Sequence, residues 1–312
     1  MKCPILITGS HRSGTTWVGR ILNASPNTHF VGEPFNPVHA KHCPYVPIKH
    51  WFHAVMPDEE NIFQLYLSHK VGRAYHPLFL TTQLASENVF YNHMKGYTKC
   101  LLYHLRNYQP IVKDPIALFS ATWFFNHFQS KVVILIRHPA AFVSSLKRAN
   151  WAFPFEHFLQ QPQLMEERLS SFQEDIDVYA KNPPDLIDQG ILLWRIFHHT
   201  IAHYQLQQPD WIFVRHEDLS RSPLLQFELL FRQLNLPFTS CVKKQIADYN
   251  IPKVLEQEKH SHHQLYRDSR TNIWAWRSHL SPIEIDRIRV GVADISPQFY
   301  GDEDWIPERY DV

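Results

Sequence analysis

The chain is short of the features that mark several protein classes. Its four cysteines (Cys3, Cys43, Cys100, Cys241) are widely scattered with no C-x-x-C pair. That argues against a disulfide framework or a thiolate zinc site and suits reduced thiols. No apolar run approaches the ~20 residues that a membrane-spanning helix needs. There is no strong excess of charge of either sign: the formal net charge is +1. A general nucleic-acid or anionic-membrane binder is therefore not expected, and any anion site has to be local. Internal repeats and low-complexity stretches are absent, and no basic-then-apolar leader precedes the first strand at about Pro4, so a cytoplasmic location is expected. What remains, 44% apolar and 20% charged residues over 312 positions, is ordinary for a soluble enzyme with a full core.

A further absence lies inside the most informative stretch, Pro4 to Glu33. Ile5, Leu6 and Ile7 form a short apolar run, as in a strand buried on both faces. Small and polar residues follow from Gly9 to Gly14, and a helical pattern begins at Thr15 and ends before Ser25-Pro26. Strand, glycine-bounded loop and helix is an arrangement that cradles phosphate through loop amides and a helix N-terminus, although a plain αβ turn shares the pattern. The spacing Gly9-xxxx-Gly14 matches a P-loop, but the lysine that should follow Gly14 is missing. Thr15 and Thr16 stand there, and the cation comes earlier, at Arg12.

The magnesium aspartate is missing as well. The strand-like run VVILI delivers Arg137 where a P-loop ATPase would usually place an acidic residue. A cation there suits a second phosphate, and helical spacing after Pro139 brings Ser144 and Ser145 within reach of it. The plainer alternative is a surface arginine followed by solvent-facing serines. Other apolar runs also end in notable residues: THFVG at Glu33, PIV at Lys113-Asp114 and WIFV at Arg215. Strands alternating with helices predict a parallel sheet covered on both faces, with ligands beyond the carboxyl ends of its strands.

RSGTTW, Arg12 to Trp17, resembles the 5′-phosphosulfate loop of sulfotransferases that use 3′-phosphoadenosine 5′-phosphosulfate (PAPS). Arg137 with Ser145 eight positions later resembles that family's 3′-phosphate site. FVRHEDL (Phe213 to Leu219) and SRTNIWAWR (Ser269 to Arg277) are weaker echoes. The resemblance spans most of the chain and is thinnest from Asn36 to Gln109. It implies an α/β fold, a P-loop-like three-layer sandwich with a central parallel sheet of about five strands, helices on both faces and insertions capping the ligand edge. One domain would span residues 1–312, with insertions at about 36–109 and 150–190 on the acceptor side. PAPS would be the co-substrate and 3′-phosphoadenosine 5′-phosphate (PAP) the product, with no metal. The residues implied at the nucleotide are Arg12, Ser13, Gly14, Thr15, Thr16, Trp17, Arg137, Ser145 and Arg270.

Sulfuryl transfer is mainly a matter of positioning and charge stabilisation, plus a base for the acceptor hydroxyl. Arg12 and the loop amides fit the first task, and the resemblance implies that Lys113 contacts the transferred group. Small-molecule cytosolic members carry a catalytic His two residues after that Lys; here Pro115 occupies the place. Carbohydrate and protein sulfotransferases use a Glu after the second strand, the position of Glu33 in VGEPF. Glu33 is the expected base, with a purely structural carboxylate, Asp114 or a nearby His as alternatives. The acceptor implied is a small-molecule, lipid or saccharide hydroxyl, with carbohydrate or glycolipid favoured, and no partner is indicated in nucleic acid. Oligomeric state is not indicated. The competing readings are a P-loop nucleotide or small-molecule kinase and a non-catalytic nucleotide-binding protein.

The 21 histidines invite a metal site at His260, His262 and His263, but without a carboxylate or thiolate partner a solvated loop is expected. His198-His199 reads as core packing or a rim contact. Trp151, Phe153 and Phe155 read as core or as an aromatic platform. Ser222-Pro223 and Ser281-Pro282-Ile283-Glu284 predict helix starts.

Overall fold

The computed structural model describes residues 2–40, 46–74, 89–250 and 273–306. Five strands form one parallel sheet: β1 (Ile5–Gly9), β2 (Thr28–Gly32), β3 (Gln109–Lys113), β4 (Lys131–Ile136) and β5 (Ile212–Arg215). Their spatial order is β2-β3-β1-β4-β5, the predicted α/β sandwich.

The apolar runs at the strands follow from burial on both faces. Successive side chains point to opposite sides. Ile5, Ile7, Ile111, Val133 and Leu135 meet helix α1 (Thr15–Leu22) and Phe227 and Phe231 of the Pro223–Leu234 helix. Leu6, Val112, Val132 and Ile134 meet Phe142 of the Pro139–Ala149 helix and Trp194 and Phe197 of the Leu186–Gln207 helix. Both layers are packed with buried apolar side chains, so alternation of apolar and polar residues is suppressed in the central strands.

Several expectations resolve here. Ser281 and Glu284 form the predicted capping box. Pro223 opens its helix, but the Ser222 side chain makes no capping bond. Phe153 and Phe155 are core residues, whereas Trp151 is half-buried against the core. His198 is fully buried with its ring 3.8 Å from that of Trp194, whereas His199 is exposed. From the insertion between β2 and β3, Phe52, Phe63 and Leu67 enter the larger core. Ala54 N–H donates to Gln161 Oε1 at 2.9 Å and Val55 N–H to Ser120 Oγ at 3.0 Å, tying that insertion down. Arg270, Cys43 and His260, His262 and His263 lie outside the described residues.

Candidate active site

The loop between β1 and α1 is shaped by its two glycines. Gly9 has φ 136°, and a Cβ there would lie 2.2 Å from the Leu135 carbonyl oxygen of β4. Gly14 has φ 92°, and a Cβ would lie 2.6 Å from His216 Nδ1. Neither place admits another residue without a shift. Ser13 tightens the loop by donating its hydroxyl to Ser10 O at 2.5 Å. Arg12 adopts φ 64°, an uncommon conformation for a non-glycine residue.

Gly14 caps α1 without a side-chain hydrogen bond, and the first turn holds no acidic residue. The amides of Thr15, Thr16 and Trp17 therefore have no intrahelical acceptor, and a partial positive charge faces the loop. The Trp17 indole points elsewhere. It packs in the core beneath α1, 5.2 Å from the Phe227 ring and 5.8 Å from that of His216. At Trp17 only the main chain faces the loop.

Cations from two further segments converge on the same loop. Arg137, just beyond β4, donates from Nη1 to the carbonyl oxygen of Arg12. Arg12 in turn donates from Nε to Ser145 Oγ at 2.9 Å. Ser144, one residue earlier, is buried. The Arg137 guanidinium is pushed down to about 10, chiefly by burial; buried Glu217 opposes this, and Arg12 and Arg148 add to it. Arg12 is also lowered, by burial and then by Arg148. Three guanidinium groups thus repel one another around one loop. Arg137 Nε and the hydroxyls of Thr8 and Ser10 are buried without hydrogen-bond partners. Unpaired donors and mutually repelling cations are features that a bound anion would satisfy.

Glu217 organises this corner from below. Its Oε1 accepts from His138 N–H at 3.1 Å and its Oε2 from Tyr300 O–H at 2.9 Å. Trp276, in the segment resembling the C-terminal nucleotide loop, stacks on His138 with ring centroids 5.3 Å apart. Trp276 is thereby held beside the residue that follows Arg137.

Glu33 and Lys113 meet across the ends of β2 and β3. The Lys113 ammonium pairs with Glu33 Oε1, and Asn36 Nδ2 donates to Glu33 Oε2 at 2.7 Å. The backbone repeats the join, with Glu33 N–H on Lys113 O at 2.8 Å. The Lys113 stem runs alongside α1: a Cβ on Gly19 would come within 3.1 Å of Lys113 Cβ. Since β3 pairs with β1 at Ile7↔Lys113, the pair sits one strand away from the loop.

Asp114 has a different job. Fully buried, it accepts from Phe35 N–H at 2.6 Å and from Ile116 N–H at 3.0 Å. Burial pushes its carboxyl up to about 7. Both oxygens fasten the chain just after β2 to the chain after β3, so this carboxyl positions the Glu33 segment. Arg215 is likewise occupied by Asp304 and lies over the Tyr300 ring at 4.4 Å.

Two residues not singled out in the sequence join the site. Arg148 lies one helical turn beyond Ser145, a spacing that could have flagged it. His11 precedes Arg12 and is surrounded by Trp151, Phe142, Phe52 and Phe197 at ring distances of 4.4, 5.1, 5.5 and 5.7 Å. Burial and then Arg12 lower its imidazole to about 3, so it is neutral at ordinary pH. Only adjacency to Arg12 signals it in sequence.

Among the described residues, no group of three or more His, Cys, Asp or Glu side chains is placed to hold a metal. No helix among them is long and apolar enough to cross a membrane.

A family model described as "Sulfotransferase family" matches residues 4–240. Among solved structures, the chain is similar to the sulfotransferase domain of the Synechococcus PCC 7002 olefin synthase at 17% identity, covering 98% of both chains with a TM-score of 0.49. It is similar to the sulfotransferase domain from the curacin biosynthetic pathway at 14% identity, covering 94% of this chain and 98% of that one, TM-score 0.49. Sulfotransferase STF9 of Mycobacterium avium aligns at 13% identity over 96% of this chain and 77% of that one, TM-score 0.45. No curated protein matches.

Proposed function

The chain belongs to the sulfotransferase family, and from that premise we propose that it transfers the sulfuryl group of PAPS to a carbohydrate or glycolipid hydroxyl, with Glu33 as base. Family membership carries sulfotransferase activity and the use of PAPS; the acceptor class and the base are our reading.

Arg12, Thr15, Thr16 and the α1 amides would hold the 5′-phosphosulfate, and Arg137 and Ser145 the 3′-phosphate. The site's residues fit such a ligand, because it would neutralise three mutually repelling cations and engage the buried, unpartnered Arg137 Nε. When bound, PAPS supplies an activated sulfuryl group whose leaving group is PAP. The acceptor oxygen forms a bond to sulfur as the sulfur–oxygen bond to the 5′-phosphate breaks, and the acceptor proton passes to Glu33. Lys113 holds that carboxylate in place and brings positive charge to the end of β3, where negative charge spreads during transfer.

The observation that carries this reading is the Glu33–Lys113 pair one strand from the loop. Pro115, where a His base would stand, is buried in the turn after β3 and supplies no titratable group. The scattered thiols, with Cys3, Cys100 and Cys241 free, support a cytoplasmic setting.

Calorimetric titration with PAP tests the donor site. Tight, magnesium-independent binding that Mg-ATP does not match, and that falls roughly a hundredfold in Arg137→Ala, is expected for loss of a charged phosphate contact. Preference for Mg-ATP would sink the proposal in favour of a kinase. Glu33→Gln is expected to keep PAP affinity and to lose at least about a hundredfold in kcat. An unchanged kcat would return Glu33 to a structural role.

A further inference from the structure

His50, His53 and His157 cluster where the insertion after β2 meets the segment that follows the Pro139–Ala149 helix, and the transfer reaction uses none of them. His157, in the short helix Glu156–Leu159, accepts from Trp51 N–H at its Nδ1, 3.2 Å away. A ring nitrogen that accepts carries no proton, so this imidazole is neutral with its hydrogen on Nε2. The His50 ring meets that of His157 edge-on with centroids 5.7 Å apart, and stacks on that of His53 at 5.8 Å. Buried His53 pairs through Nε2 with Glu59 Oε2 at 2.8 Å, and Lys49 takes Glu59 Oε1 at 3.4 Å.

Trp51 carries this cluster toward the anion loop. Its ring lies edge-on to that of Trp151 at 6.5 Å, and Trp151 lies 4.4 Å from the ring of His11, which precedes Arg12. The next residue, Phe52, is fixed in the core, so any release is confined to Trp51 and the turn before it. Neighbouring ties do not titrate: Ala54 N–H donates to Gln161 Oε1 at 2.9 Å, and Gln161 Nε2 donates to His157 O at 2.8 Å. The bond at His157 does.

We propose that His157 is a positioning residue: neutral, it latches Trp51 beside Trp151, and protonated, it lets Trp51 go. An imidazolium donates from both nitrogens, so Nδ1–H and Trp51 N–H would be two donors facing each other. Charge works in the same direction. A proton on His157 meets His50, with His53 and Lys49 behind it, and Glu59 is already shared between His53 and Lys49. On its own helix Glu156 favours the charged form. The Gln173–Lys181 helix packed against it brings Glu174, Asp175, Asp177 and Lys181, none of which shifts the ring. Burial holds His157 below the usual histidine range against the pull of Glu156. His50 is lowered too, by burial and then by His53, His157 and Lys49, with Glu59 opposing. The latch is therefore complete at neutral pH and is lost as pH falls through the folded value of His157. Trp51, Trp151 and His11 form one wall beside Arg12, so acid would loosen the approach to the transfer site, a clause that rests on the function proposed above.

Hydrogen exchange at the Trp51 amide reads the latch in the protein alone, once the intrinsic pH dependence is divided out. Between about pH 7.5 and about pH 5 its protection should fall at least about tenfold, since each pH unit below a titration is worth up to about tenfold. His157→Asn keeps an acceptor near the place of Nδ1 and does not titrate, so its protection should stay level. His157→Ala should leave the amide unprotected at both pH values. Urea unfolding at about pH 7.5 should show both variants folded. Neither donor nor acceptor is needed, so failure here and failure of the donor site are read separately. Level protection in the parent, or an equal fall in His157→Asn, overturns the proposal. So does parent-like protection in His157→Ala at about pH 7.5.

Discussion

Gly19 offers a test of the catalytic geometry from a position that touches no ligand. It lies in the second turn of α1, and a Cβ there would meet Phe30 Cε2 at 3.0 Å, Lys113 Cβ at 3.1 Å and Lys113 Cγ at 3.3 Å. In Gly19→Ala two effects oppose each other. Alanine favours the helix by about 1 kcal/mol, while overpacking costs about 1–3 kcal/mol. Phe30 is 39% exposed and can swing away. Lys113 is buried at its stem and tied to Glu33, so it absorbs the remaining few tenths of an ångström. Net stability should therefore change little, falling by no more than about 2 kcal/mol. Catalysis should suffer more, because a displaced ammonium carries Glu33 with it. Misplacement on this scale costs roughly tenfold in kcat, about 1.4 kcal/mol of barrier. PAP affinity, set by the loop and by Arg137, should stay as it was. Urea unfolding, PAP calorimetry and turnover with an acceptor active for the parent protein read the three quantities separately. An unchanged kcat in Gly19→Ala, beside a large loss in Lys113→Ala, would refute the claim that α1 holds Lys113 in register.

Three further outcomes follow from the same geometry. The Asp114 carboxyl, raised to about 7, keeps its proton in the folded chain over a range where the unfolded chain has released it. Its contribution to stability is full below about pH 4 and is lost as pH rises through 7. Asp114→Asn should flatten that part of the melting-temperature profile and cost about 1–3 kcal/mol, because an amide cannot accept from both Phe35 N–H and Ile116 N–H. A parallel profile in the variant would show that the slope comes from elsewhere. Arg148→Ala should weaken PAP binding by severalfold and reduce its salt dependence, which calorimetry at two ionic strengths would detect. Arg215→Ala leaves the buried Asp304 carboxylate with Arg221 at 3.7 Å and the Gly301 N–H at 3.1 Å, and should cost about 2 kcal/mol in urea unfolding while leaving PAP affinity in place. A loss of affinity without destabilisation would instead put Arg215 at the ligand.

Much of the site could be read from the sequence because its pieces are local. The apolar run Ile5–Ile7, the glycine-bounded loop and the periodic helix after Thr15 each declare themselves within a few residues, and all three are as expected. Strand ends were legible for the same reason, which placed Glu33, Lys113 and Arg137 on one edge of a parallel sheet. Arg215 was legible as a strand end but not as a clamp, because its partner Asp304 is distant in sequence. Trp17 belongs to the conspicuous motif, yet its ring lies in the core, since a helix N-terminus offers its amides to a ligand while side chains turn to whichever face is buried.

The strands, the order of the motifs and the absence of a P-loop lysine and magnesium aspartate are legible along the chain, because propensity, spacing and residue identity are properties of neighbours. Tertiary structure alone decided that Arg12 bonds to Ser145, that Arg137 holds the loop through the Arg12 carbonyl, and that Asp114 fastens backbone while Glu33 pairs with Lys113. Those contacts join residues from different strands and helices. They exist only once the sheet sets those elements side by side and burial makes each unpaired charge costly enough to select its partner.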